Sequence, residues 1–179
     1  RQDYDLGNEF FGLLLDETMT YSSSLFKSGD QSMASAQTAK YAAMIDQMGV
    51  KPGDHVLEVG CGWGGFAVYA AQHRGLRVTG LTISKEQLAY AEDRIERLNL
   101  GHLVTLKLQD YRDEQGVYDG VASIEMFEAV GEKYWPQYFE MVRRALKPGA
   151  QATLQIITIQ DQRFDCLLYT SPSPRDGRE

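Results

Sequence analysis

The chain has 179 residues, 43% hydrophobic and 24% charged, which suffices for one domain with a proper core and is too short for two comfortable ones. A formal net charge of −7 and the lack of any Lys/Arg-rich run argue against nucleic-acid binding, because phosphate contacts need clustered cations. No apolar stretch reaches the ~20 residues that span a bilayer and no signal-like apolar N-terminus is seen, so the chain reads as soluble and cytoplasmic.

Residues 1–30 are aromatic and polar without a clean period (Tyr4, Phe10, Phe11, Tyr21, Phe26), and read as a segment that covers a pocket or crosses a core. From Ser35 to Met48, the spacing of Tyr41, Met44, Ile45 and Met48 predicts an amphipathic helix, ended by Gly49. Lys51-Pro52-Gly53 is a turn, and His55 to Val59 is the first strand. Phe66 to Gln72 is apolar nearly all round, as suits a helix lying between a sheet and another layer. Leu76 to Leu81 is the second strand. Ser84 and Gln87 form a capping-box signature for a helix that buries Leu88, Ala91, Ile95 and Leu98. Leu103 to Leu108 and Tyr118 to Ile124 are the third and fourth strands. Tyr138, Met141, Val142 and Ala145 mark another helix, closed by Lys147-Pro148-Gly149, before a fifth strand over Ala150 to Ile159. Residues 31–165 thus alternate strand and helix, which predicts an α/β fold with a doubly wound, mostly parallel sheet. Residues 166–179, with their Ser-Pro repeats, read as a disordered or non-native tail.

The chemistry concentrates where the first strand ends, in Glu58-Val59-Gly60-Cys61-Gly62-Trp63-Gly64-Gly65. A buried strand that breaks into alternating glycines is a tight turn in which backbone can lie directly against a ligand, next to the free N–H groups of the following helix. Gly60, Gly62 and Gly65 also satisfy the dinucleotide pattern, but a nicotinamide site usually has an acid about 20 residues downstream. Here that region reads Gly80-Leu81-Thr82-Ile83-Ser84, without one. A carboxylate at Glu58 suits instead a ligand with a cationic end, such as the amino-acid portion of S-adenosylmethionine, and the turn is similar to motif I of class I methyltransferases. In an open parallel sheet, ligands sit at the carboxyl ends of the strands near the switch point. That groups Glu58 to Gly64, Thr82 to Gln87, Asp110-Tyr111 and Ile124 to Glu128 around one crevice. The two cysteines, Cys61 and Cys166, make neither a disulfide framework nor a metal-ligand set, so no metal is expected.

Several blocks together resemble the cyclopropane fatty acid synthases and the related mycolic acid methyltransferases: Tyr4 to Asn8 with Phe10-Phe11, Met19 to Ser23, Gly60 to Gly64, Gly80 to Ser84 with Gln87, and Met126-Phe127-Glu128. The resemblance covers about Asp3 to Asp165. It implies a class I methyltransferase that moves a methyl group from S-adenosylmethionine to the double bond of an unsaturated phospholipid acyl chain, in peripheral contact with the inner membrane surface. By resemblance, Tyr21 and Ser22 close over the cofactor, and Gly60, Cys61, Gly62, Trp63 and Gly64 cradle its methionine end. Thr82, Ile83 and Gln87 border the adenosine, and Asp110 and Tyr111 flank the adenine. Glu128 stands near the reacting carbon, where the family holds a bicarbonate ion as base. Gln87 has a second reading as part of the cap, Tyr111 as a loop-edge packer, and Glu128 as a solvated acid at a helix start.

The chain departs from the family at four places: Ser23 stands for Cys, Gln155 for His, Glu125 for Gly and Asp3 for His. Ser23 and Gln155 can still hydrogen-bond an anion, whereas Glu125 adds a charge that would repel one. The family's chain also continues well past this one, so a fragment with an incomplete sheet edge is expected. Small-molecule N-methylation, a nicotinamide oxidoreductase and a cofactor-binding module without catalysis remain as alternatives.

Overall fold

A computed structural model describes residues 8–158 and 160. Five parallel strands form one sheet in the order β3-β2-β1-β4-β5: β1 His55–Val59, β2 Arg77–Thr82, β3 Val104–Leu108, β4 Tyr118–Ile124 and β5 Leu146–Gln155. The chain runs outward through β1, β2 and β3, then returns to the other side of β1. The switch point therefore lies between β1 and β4, which pair from Val56↔Gly120 to Val59↔Ser123.

The helices follow the predicted periodicity. Met33–Met48 (α2) starts at Ser32, whose hydroxyl accepts the Ser35 N–H, and stops at Gly49 in the left-handed region. Gly65–Arg74 (α3) and Lys85–Arg97 (α4) follow β1 and β2, and Trp135–Ala145 (α5) precedes β5. Tyr41, Met44 and Ile45 of α2, Phe66 and Ala70 of α3 and Ile95 of α4 bury one face of the sheet with Val56 and Val78. On the other face, Tyr138, Met141 and Val142 of α5 pack on Leu57, Val59 and Val121. Glu114, buried before β4, is held by Lys107, Gln109, the Gly116 N–H and the Tyr118 hydroxyl, and so serves as a structural clasp between the β3 and β4 ends.

Leu98, expected on the buried face of α4, is 39% exposed just past the helix end at Arg97, and three further details differ from the sequence expectation. Asn8–Leu14 forms a short helix, α1, in a segment without a clean period. It forms because Phe11 finds a tertiary partner in Trp63, which periodicity cannot anticipate. Lys147-Pro148-Gly149 does not separate α5 from β5: the strand begins at once at Leu146, and the triplet sits inside it as a bulge between the pairings Tyr118↔Leu146 and Gly120↔Gln151. Among the described residues β5 is an outer strand, where a proline without an N–H is tolerated. The strand also ends at Gln155, short of Ile159. The residues 166–179 expected to form a tail, and the Tyr4 to Gly7 block, lie outside the described residues.

Leu57, fully buried at the centre of β1, faces α5. Leu57→Ala is expected to lower unfolding free energy by about 2–5 kcal/mol in urea titration. Ile83→Ala, at a position 77% exposed, should change it by less than about 0.5 kcal/mol. Equal effects would contradict the core assignment.

Candidate active site

The glycine turn after β1 is folded by close approach. The N–H groups of Gly60 and Cys61 both donate to the Leu81 carbonyl at the end of β2, at 3.0 and 2.8 Å. Gly60, Gly62 and Gly64 adopt φ values of 83°, 52° and 80°. A Cβ at Gly60 would lie 2.9 Å from Met126 Cγ, and one at Gly64 would lie 3.3 Å from the Ala91 Cβ. Gly60 thus lets the β4 exit close on the turn, and Gly64 lets α4 do so. Gly62 differs, since nothing lies within 4 Å of its added Cβ.

Glu58 lies beneath this turn and is only 2% exposed. Its carboxylate takes the N–H of Ala67 in the first turn of α3, where Gly64 offers no side-chain cap, while Oε2 is buried without a partner. Burial pushes the carboxyl well above the usual carboxylate range, and the Lys40 ammonium pulls it back. An orphaned carboxylate oxygen under a glycine turn fits a ligand with a cationic end. Cys61 is buried, and its thiol is pushed up by burial and then by Glu58, which suits a small space-filling side chain rather than a reactive one. Trp63 is also buried, 4.9 Å between ring centroids from Phe11, and clamps α1 over the turn rather than lining open space.

The other strand ends contribute as follows. After β2, Ile83 projects into solvent, while the Thr82 hydroxyl donates to Gln87 Oε1 at 3.1 Å and accepts from the Ser84 N–H. The capping box is therefore half formed: Ser84 accepts the Gln87 N–H, but Gln87 turns its side chain to Thr82 instead of back to Ser84. After β3, Asp110 is bonded to Arg112, which holds its carboxyl below the usual range, and Tyr111 packs against Tyr138 at 5.5 Å. After β4 come Glu125, Met126 and a single helical turn, Phe127–Ala129. Exposed Glu128 there accepts the Ile157 N–H just beyond β5.

A strap from Asp16 to Ser24 crosses these ends, held mainly by α2. Gln37 donates to the Ser22 carbonyl at 2.7 Å, and the Lys40 ammonium donates to Ser22 Oγ at 2.7 Å and the Ser23 carbonyl at 3.0 Å. The Tyr41 hydroxyl meets Thr20 Oγ1 at 2.6 Å, and Arg94 of α4 donates to the Thr18 carbonyl. Tyr21 itself stays 67% exposed, edge-on to Phe11. Ser23 is thereby set against β4 and β5: its N–H donates to Glu125 Oε1 at 2.9 Å, and Gln155 Nε2 donates to both the Ser23 carbonyl (3.1 Å) and Glu125 Oε1 (2.8 Å). Ser23 and Gln155, singled out separately in the sequence, thus form one cluster with Glu125 between them. Glu128 stands apart from these bonds.

Sequence reasoning missed Gln37 and Lys40. The signal was present, because the buried stripe Tyr41, Met44, Ile45, Met48 continues back by the same steps to Lys40 and Gln37, both buried. Polar residues on an apolar face mark a partner elsewhere in the chain.

Three comparisons bear on this arrangement. The family model for mycolic acid cyclopropane synthetase matches residues 1–167. The chain is 41% identical over 174 residues to tuberculostearic acid methyltransferase UfaA1 of Mycobacterium tuberculosis, covering 93% of this chain and 40% of that protein. It is 45% identical over 148 residues to a cyclopropane-fatty-acyl-phospholipid synthase of Escherichia coli, covering 83% and 37%. The fold superposes with a TM-score of 0.80 on mycolic acid cyclopropane synthase CmaA1 complexed with S-adenosylhomocysteine (SAH) and CTAB, at 30% identity, covering 86% of this chain and 53% of that one. The chain thus spans about two fifths of the length of those curated relatives.

Lys40 gives this site a pH signature. It is 5% exposed, and burial pulls its pKa down to about 8 against the opposing pull of Glu125, Glu58 and Asp16. Between that value and the ordinary lysine value the folded chain holds fewer protons than the unfolded one, so the Lys40 contribution to stability rises with pH there. Urea titrations of wild type and Lys40→Met at about pH 8 and pH 10 should show the difference shifting in favour of the wild type at the higher pH. A pH-independent difference would mean that the ammonium is not desolvated.

Proposed function

The chain belongs to the mycolic acid cyclopropane synthetase family of S-adenosylmethionine-dependent methyltransferases, and from that premise we propose that it methylates the double bond of unsaturated phospholipid acyl chains. The product is a cyclopropane or a methyl-branched or methylene chain. The observation that carries the reading is the open side of Gly62 together with the orphaned Glu58 oxygen, both where the chain leaves β1 at the β1–β4 switch point. Relatives named as a cyclopropane-fatty-acyl-phospholipid synthase and a tuberculostearic acid methyltransferase support an acyl-chain substrate.

When bound, S-adenosylmethionine supplies a methyl group on a positively charged sulfur, a strong electrophile. An alkene is a poor nucleophile, so the chain must hold the two reactants in line and keep water out. Gly60 to Gly64 offer backbone to the methionine end, and the buried Glu58 Oε2, without a partner in the chain, is available to its ammonium group. Ile83 and Tyr111 flank the adenosine, and Tyr21 with Ser22 closes the strap over it. Phe127, Met126 and Tyr138 form an apolar, aromatic wall at the β4 exit that tolerates positive charge on the substrate. The acyl chain resides in a bilayer, so the protein works in peripheral contact with the membrane surface. No helix among the described residues is long and apolar enough to cross one, whereas Leu13, Leu14, Leu25 and Phe26 stand exposed on the N-terminal segment and suit such contact.

Calorimetry tests the cofactor assignment. SAH should bind and NAD should not. Gly62→Val should weaken SAH binding at least about tenfold, equivalent to about 1.4 kcal/mol. Binding of NAD alone, or an unchanged affinity in Gly62→Val, would contradict the reading.

A further inference from the structure

The resemblance brings a bicarbonate ion to this site as base, and the residues present do not fit one. At the positions where this chain departs from the family, the donors that could hold such an ion are the Ser23 N–H and the Gln155 amide. Both already point at a carboxylate of the chain itself, Glu125 Oε1, at 2.9 and 2.8 Å. A second anion beside that carboxylate would meet the repulsion of a like charge.

Glu125 is also held in a conformation that costs something to keep. Its φ is 47°, in the left-handed region that non-glycine residues seldom enter. Two ties fix it there: its N–H donates to the Gln155 carbonyl at 2.9 Å, and its side chain takes the Gln155 amide. The Ser23 carbonyl between them accepts Lys40 Nζ and Gln155 Nε2 together, so one ammonium and one amide organise the cluster. Both recorded bonds fall on Oε1. Oε2 makes no hydrogen bond among the described residues and is the oxygen left to take a proton.

We propose that the Glu125 carboxylate stands in the place of the free anion, so that the base of the reaction is part of the chain and bicarbonate is not taken up. The inference rests on the function proposed above. In the step it serves, the methyl–sulfur bond breaks and sulfur keeps the electron pair. The methyl carbon bonds to one alkene carbon through the π pair, which leaves positive charge on the other. A C–H bond then breaks, its electrons closing the cyclopropane or forming a methylene double bond, and the proton passes to Glu125 Oε2. A saturated methyl branch would need a hydride donor in a later step. Two departures from the family thus act together: a carboxylate at 125 removes the need for an ion, and the neutral Gln155 amide fits that carboxylate, while position 23 contributes its backbone alone.

The test is a titration with carbon-13-labelled bicarbonate, followed by the broadening of its NMR signal, with the chain in carbonate-depleted buffer. Wild type and Glu125→Gln, in which the site stays filled, should bind none. Glu125→Gly relieves the positive φ, frees the Ser23 and Gln155 donors and should bind the ion, with thermal unfolding confirming that the variant is folded. Binding by the wild type equal to that of Glu125→Gly, or no binding by a folded Glu125→Gly, would overturn the proposal. With vesicles of dioleoyl phosphatidylglycerol, Glu125→Gln should transfer methyl groups on the order of a hundredfold more slowly than wild type. SAH affinity should change by less than about twofold. Turnover by Glu125→Gln at the wild-type rate, or stimulation of the wild type by bicarbonate, would also overturn it. A wild-type chain that binds SAH yet methylates no lipid would overturn the functional reading instead, and the bicarbonate titration would still decide this one.

Discussion

The parallel pairing of β1 with β4 is the constraint on which the site depends. It sets two strand exits side by side, so the backbone leaving β1 must turn at once to avoid the chain leaving β4. Gly60 meets that demand with a positive φ and no side chain, because Met126 fills the place where a Cβ would go. The rest of the turn follows, hooked to β2 through the Leu81 carbonyl and ended at Gly64 so that α3 can begin. The turn is thus a consequence of sheet topology, and Glu58, the strap and Glu125 are the polar groups that gather around it.

The strap shows how local physics distributes that chemistry. A segment without helix or strand leaves its backbone polar groups without a ladder, and α2 and α4 answer three of its carbonyls with Gln37, Lys40 and Arg94, while Tyr41 bonds the Thr20 hydroxyl. Lys40 is buried at the cost of a depressed pKa, and in return a single ammonium binds Ser22 and Ser23. Because Glu58, Asp16 and Glu125 all act on that ammonium, the floor of the cradle, the strap and the β4 exit are coupled electrostatically.

Much of the fold was legible in the sequence because periodicity and glycine spacing are local properties. The five strands, α2 to α5 and the turn at Gly60 follow from residues near one another in the chain. What escaped notice was non-local. Ser23 and Gln155 are 132 positions apart, and no spacing rule says that their amides converge on Glu125. Glu125 alone reads as a charge that repels an anion; with its partners in place it reads as the anion. Trp63 packs on Phe11, and the Gln87 side chain, which had readings at the adenosine and in the cap, accepts from Thr82. The β5 bulge was missed because Pro and Gly signal an interruption without saying whether it falls before a strand or within it.

The most direct test of the account is a crystal structure of the chain with SAH bound. The account predicts the amino-acid end of the ligand against the backbone of Gly60 to Gly64 above Glu58, the adenosine between Ile83 and Tyr111, and no ordered ion between Ser23, Glu125 and Gln155. The nucleoside bound away from the β1–β4 switch point, or a separate anion seated on Ser23 with Glu125 swung aside, would contradict it.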